Sequence, residues 1–190
     1  MAASDGVEGT HRGDGYLHLG DRIALFDDAG NGYAGTQGFA NVQVGVESTV
    51  DSHPPASFTH ECIFTVTQQE NISVAKQLRT LLDREGLTLE DARTEMRVSA
   101  LLAERGREQR QNAIEFDQSK GTAVRYGMVI QLQHSSSHKH LCVSRQAAER
   151  NADSRRCVVE AEGDERAWVR IMPWLKVHSE GDQVHMSDPV

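Results

Sequence analysis

"YLHLGDRIALF", Tyr16 to Phe26, follows fifteen mostly small and polar residues with an apolar alternation. Leu17, Leu19, Ile23 and Leu25 alternate with polar or small residues, as in a strand with one buried face. Gly20-Asp21 breaks that alternation in the middle. A second version appears as "RYGMVIQLQH", Arg125 to His134, and "GDQVHM", Gly181 to Met186, begins like a third. Recurrence at long spacing is the mark of a repeated supersecondary unit.

Outward from the first copy, "DDAGNG" (27–32) supplies a turn through Gly and Asn, which tolerate positive φ. "YAGTQGF" and "NVQVGV" read as two more short strands. A loop with Pro54-Pro55 follows, and "CIFTV" has the β-branched and aromatic content of a buried strand. The pattern then turns helical from Asn71 to about Phe116. "NISVAKQLRTLLDREG" puts Ile72, Ala75, Leu78 and Leu82 on one stripe, with Asn71 as N-cap and Gly86 as stop. A second helix start is signalled where Thr88 stands three residues before Asp91. Strand character returns at Ala123 with "VIQLQH", "KHLCV", "RCVVEA" and "AWVRIMP".

Gly20–Phe64 and Gly127–Val169 are thus two four-stranded units of nearly equal length, separated by a helical insertion. Such a unit cannot bury its apolar face alone, and closing the sheet on itself removes exposed edges. The predicted fold is mainly β: a β-trefoil over 16–190, its third unit apparently truncated, with a helix-turn-helix arm at about 71–116. Residues 1–15, "MAASDGVEGTHRGDG", read as a disordered polar tail with no signal-peptide core.

Composition limits the partners. The formal net charge of −8 argues against nonspecific nucleic-acid binding, because affinity for a polyanion comes from Lys and Arg. No stretch approaches the ~20 apolar residues of a membrane span, so this segment is not expected to insert in a bilayer. Cys62, Cys142 and Cys157 are odd in number and widely spaced, without CxxC. They read as buried thiols in a reducing compartment, not as disulfides or a zinc site.

Chemistry-bearing constellations are few. "HSSSHKH" (134–140) offers three histidines, with His138 and His140 on one side of a strand, but no further ligands for a metal shell; a polar hairpin turn is the simpler reading. "DDAGNG" lacks the alternation and terminal Glu of a calcium loop. "LHLGDR" lacks the lysine and helix of a phosphate loop. "REQRQ" and "SRR" lie in acidic surroundings and read as solvated faces. His60 and Cys62 alternate on one predicted strand face and are the only nucleophile–base pair. No catalytic, metal or cofactor-binding residue is assigned, and no cofactor is expected.

Five ordered pieces carry a family resemblance: "LHLGDRIALF", "GNGYAGTQGF", the Pro-Pro loop before "CIFTV", "YGMVIQLQHSSSHKHLCVS" and "AWVRIMP". Together they resemble the amino-terminal suppressor domain of inositol 1,4,5-trisphosphate receptors, from about Tyr16 to Val190. That family also inserts a helix-turn-helix arm after the fourth strand. Ryanodine receptors are the nearest competitor, and the opening "LHLGD" is closer to the inositol trisphosphate side. A trefoil binding module for carbohydrate or a cytoskeletal partner is the other alternative; such modules generally lack the arm.

The resemblance implies an interaction module, not an enzyme. It would be part of a tetrameric calcium-release channel, on the cytosolic face of an endoplasmic-reticulum or acidocalcisome-like store membrane. Its partners would be other domains and subunits of that channel. Ligand would be held in a basic pocket between two later domains, so this segment alone should not bind inositol phosphate. The family's aromatic-rich loop, whose tyrosine contacts another part of the channel, matches "AWVRIMPWLKV". Trp168 is retained, the tyrosine positions fall on Arg170 and Leu175, and Trp174 keeps an aromatic group nearby. These four residues are the expected interface.

Overall fold

The apolar alternations become short antiparallel strands: β1 (Arg22–Ala24), β2 (Phe26–Asp27), β3 (Gly32–Thr36), β4 (Gln43–Ser48), β5 (Ile63–Gln68), β6 (Val129–His134), β7 (His140–Ala147), β8 (Arg155–Glu160) and β9 (Val169–Arg170). A computed structural model describes residues 14–36, 42–49, 59–86, 88, 96–148, 153–161, 163–174 and 176–189. Of the polar tail, 1–13 lie outside these residues. The strands run in the order β1-β5-β6-β7-β8-β4-β3-β2, with β9 beside β6. Because β1 and β2 are halves of one stretch, split at Leu25, the sheet curls back on itself and is nearly closed. Its interior is filled by Leu17, Phe64, Val66, Val124, Ile130 and their neighbours.

The three copies of the opening phrase meet at one end of this barrel. Leu17 N–H donates to Val184 O (2.9 Å), Val184 N–H to Val124 O (3.0 Å) and Val124 N–H to Leu17 O (2.7 Å). A second ring runs one step along: Leu19 N–H to Thr122 O, Tyr126 N–H to Asp182 O, and Met186 N–H to Gly15 O. Each copy then turns by a bond from Asp21, Met128 or Asp188 N–H to the carbonyl three residues back. Gly20 (φ 95°) and Gly127 (φ 89°) take the left-handed position of the first two turns, where a Cβ is unfavourable. The Asp21 carboxylate accepts from His18 N–H at 2.8 Å, and Asp188 repeats the bond to His185. Gly-Asp therefore interrupts the alternation because the chain must turn there.

Several expectations are corrected. His60 and Cys62 do not share a strand face, since Thr59–Cys62 is a single helical turn, α1, before β5. "AWVRIMP" forms only two residues of strand, after a 3-10 turn at Glu165–Ala167. Among the described residues, β1 pairs with β5 and β9 with β6, and the second edge of each is unpaired.

The arm is two helices, α2 (Ser73–Glu85) and α3 (Met96–Ser119). The start expected at Thr88–Asp91 falls mostly outside the described residues. Gly86 ends α2 in the left-handed conformation at φ 64°. Asn71 is not the N-cap; Ile72 is, with no side-chain cap of its own. The Glu108 carboxylate of α3 instead accepts from Val74 N–H, Ala75 N–H and Ser73 Oγ. Asn71 Oδ1 accepts from Ser73 N–H at 3.0 Å, so the amide oxygen and the carboxylate share the orphan donors of the first turn. The buried stripe of α2 is also shifted, to Val74 and Leu78, with Leu78 packing on Val98 and flanked by Leu81, Leu82, Leu101 and Leu102.

Candidate interaction surface

After the 3-10 turn the chain runs along β6 and then leaves the barrel. Ile171 is the anchor: it is buried, its N–H donates to Met128 O, and its carbonyl accepts from Gly127 N–H at 2.7 Å. The next anchor is Ser179, whose N–H donates to Asp182 Oδ2 at 2.8 Å. Between them Met172, Trp174 and Val177 are 47%, 76% and 77% exposed. Three large apolar side chains standing out within six residues, on a segment held at both ends, form a built surface. Burying one Trp removes ~150–250 Å² from water. At ~25 cal/mol per Å², that makes Trp174 the largest single apolar contribution available here.

The four expected interface residues do not behave alike. Trp174 is presented to solvent. Arg170 is exposed on β9, 3.9 Å from Glu180 across a solvated gap. Trp168 is half-buried, and its indole N–H is buried without a hydrogen-bond partner. Leu175 lies outside the described residues.

Behind the segment, Tyr126, His178 and Asp188 tie it to the ring. Tyr126 stacks on His178 with ring centroids 5.4 Å apart and donates its hydroxyl to Asp188 Oδ2 at 2.9 Å. Burial, then the Asp188 bond and charge, push the Tyr126 hydroxyl up to about 12. Burial alone would raise Asp188, but donors from His185 N–H and Tyr126, with His178 beside it, hold its carboxyl below the ordinary value.

The other candidates resolve as structure. In "HSSSHKH", His134 and His140 are buried, whereas His138 sits exposed in the β6–β7 turn at φ 55°, so His138 and His140 do not point together. His134 bonds Ser137 Oγ and the His60 carbonyl, and desolvation lowers its pKa below the ordinary imidazole value. A cavity of about 350 Å³ lies there, lined by His60, Glu61, His134, Ser136 and Lys139 among others. Among the described residues no group of three or more potential ligands could hold a metal. "DDAGNG" is the β2–β3 turn, with Asp27 accepting from Gly30 N–H. Cys62 and Cys142 are buried as expected, whereas Cys157 is half-buried, and burial pushes each thiol up, Cys142 to about 11.

Sequence reasoning missed one constellation. Asp164 is nearly buried and collects Arg79 Nη1 (2.9 Å), Arg166 N–H (2.8 Å) and Arg166 Nε (3.0 Å). Arg166 also reaches Glu160, and Lys76 reaches Glu165. The net clamps α2 against the 3-10 turn. Its two bonds to α2 span 85 and 89 residues, so spacing could not reveal it.

The profile of the inositol 1,4,5-trisphosphate/ryanodine receptor family matches residues 12–190. Among curated proteins, the inositol 1,4,5-trisphosphate receptor itr-1 of Caenorhabditis elegans is 26% identical over 192 residues, covering 95% of this chain and 6% of its own length. The chain thus spans a small fraction of that relative. With the match running from the polar tail through all three copies of the opening phrase, the chain belongs to the inositol 1,4,5-trisphosphate/ryanodine receptor family and corresponds to the amino-terminal domain of those receptors.

Proposed function

We propose that this chain is a suppressor-type regulatory module of an intracellular ligand-gated calcium-release channel. It works by contact and carries no catalysis and no cofactor. The observation behind this reading is the exposed segment Met172–Val177, anchored at Ile171 and Ser179 and headed by Trp174. Trp168, Arg170, Trp174 and Leu175 dock on another domain or subunit of a tetrameric channel, on the cytosolic side of its store membrane. Among the described residues no helix is long and apolar enough to cross a membrane. The two hydrogen-bonded rings support a β-trefoil.

A module lowers ligand affinity when it contacts the unliganded arrangement better than the liganded one. A tenfold effect needs only about 1.4 kcal/mol of difference, within what one docked Trp supplies. Ligand itself is bound elsewhere. The arginines near the clamp are already neutralised by Asp164 and Glu160, and Arg155 donates to the Arg145 carbonyl. Removing residues 1–190 from the parent channel should raise its equilibrium affinity for inositol trisphosphate roughly tenfold, on the coupling scale of such modules. Unchanged affinity would refute the suppressor reading.

A further inference from the structure

We propose that Asp164 is a positioning residue that couples the helical arm to the docking segment, so that α2 and residues 163–170 move as one body. That the segment docks rests on the reading above; the coupling itself does not.

The clamp is unlike the exposed ion pairs around it. The Asp164 side chain is 12% exposed, and its two oxygens divide between a guanidinium on α2 and the amide and guanidinium of Arg166. Oδ1 caps the 3-10 turn, and Oδ2 holds Arg79. One carboxylate therefore fixes the backbone entering β9 and the orientation of α2 together. Charge-assisted bonds to a nearly buried carboxylate are strong and directional. Lys76–Glu165, with both side chains more than half exposed, is screened and adds little.

At the arm's root Glu70 N–H donates to Gln131 Oε1, and Asn71 exchanges paired bonds with Asn112 of α3. Beyond the root, α2 rests on α3 through Leu78 and Val98 and reaches the 3-10 turn through Lys76 and Arg79. Arg79, two turns along the helix, is the lever that Asp164 holds. From Asp164 the path to the surface is short and continuous: the 3-10 turn, Trp168, the β9–β6 pairing and the Ile171 anchor. A load on the arm is thus delivered to the backbone that presents Trp174.

Hydrogen exchange on the full 190-residue chain tests this. Arg79→Ala removes a side chain of α2, yet it should speed amide exchange across 165–172 about tenfold, and Asp164→Asn should speed exchange in 165–172 and in the first two turns of α2. The double variant should be no faster than the worse single one, and Arg79→Lys should keep most of the protection. Lys76→Ala should leave both regions near wild type. If Arg79→Ala leaves 165–172 at wild-type exchange, the coupling does not exist. Should Asp164→Asn fail to fold, Arg79→Ala and Arg79→Lys decide alone, because Arg79 is half exposed and outside the barrel core. Exchange that responds as expected in a chain that docks on nothing would count against the functional reading and not against the clamp.

Discussion

Gly20 and Tyr126 show what single residues contribute at the ring. Gly20 supplies the left-handed turn that only a missing Cβ makes cheap, and a glycine inside an alternation is readable from sequence. Tyr126 was legible only as an apolar position. Its bond to Asp188 spans 62 residues, and no local pattern encodes that distance. A raised hydroxyl pKa means the native state holds the neutral phenol. Its contribution is complete below the unfolded value of 10 and is lost as pH rises towards about 12. Stability should therefore fall between pH 10 and 12 more steeply in wild type than in Tyr126→Phe. At neutral pH the Phe variant should be weaker by about 1 kcal/mol, for one lost hydrogen bond. Urea melts across that range measure both effects; parallel pH profiles would remove Tyr126 from the account.

At the scale of elements, the strands and both helices could be read, because period and turn residues are local signals. Gly86 could be read for the same reason. What failed were choices made by tertiary partners. Asn71 looks like an N-cap and its Oδ1 accepts from Ser73 N–H, but the N-cap position is Ile72, and Glu108 arrives from another helix to take the amides of Val74 and Ala75. "HEC" looks like the start of a strand, but the chain makes a helical turn and its His60 carbonyl accepts from Ser136 and His134. Glu108→Ala should leave the amides of Val74 and Ala75 without their acceptor, lowering stability by about 1–2 kcal/mol. Glu108→Gln, which keeps an acceptor, should recover part of it. Thermal melts with exchange at 73–76 check this; protection equal to wild type in the Ala variant would show that other groups cap the helix.

For the whole molecule, the threefold logic was visible because three copies of one phrase were visible. The proposed interface rests on resemblance alone at the sequence level, and the exposure of Trp174, at 76%, is a tertiary outcome that no local pattern encodes. The clamp had no sequence signal at all. Among the described residues the second edges of β1 and β9 are unpaired, and Ile23 and Leu25 beside them are half-covered. Such edges invite pairing with another chain, so the 190-residue chain should self-associate as its concentration rises, which sedimentation measures. A sharp, monomeric melt at all concentrations would mean those edges need no partner.

The central claim is that Trp174 and its anchored segment dock this module onto the rest of a channel. Calorimetric titration of the chain against the ligand-binding region of the parent channel measures that directly. Saturable binding is expected, and Trp174→Ala should weaken it by about 2 kcal/mol, roughly thirtyfold, with the fold intact by circular dichroism. Equal affinity of wild type and Trp174→Ala, or no binding by either, would contradict it.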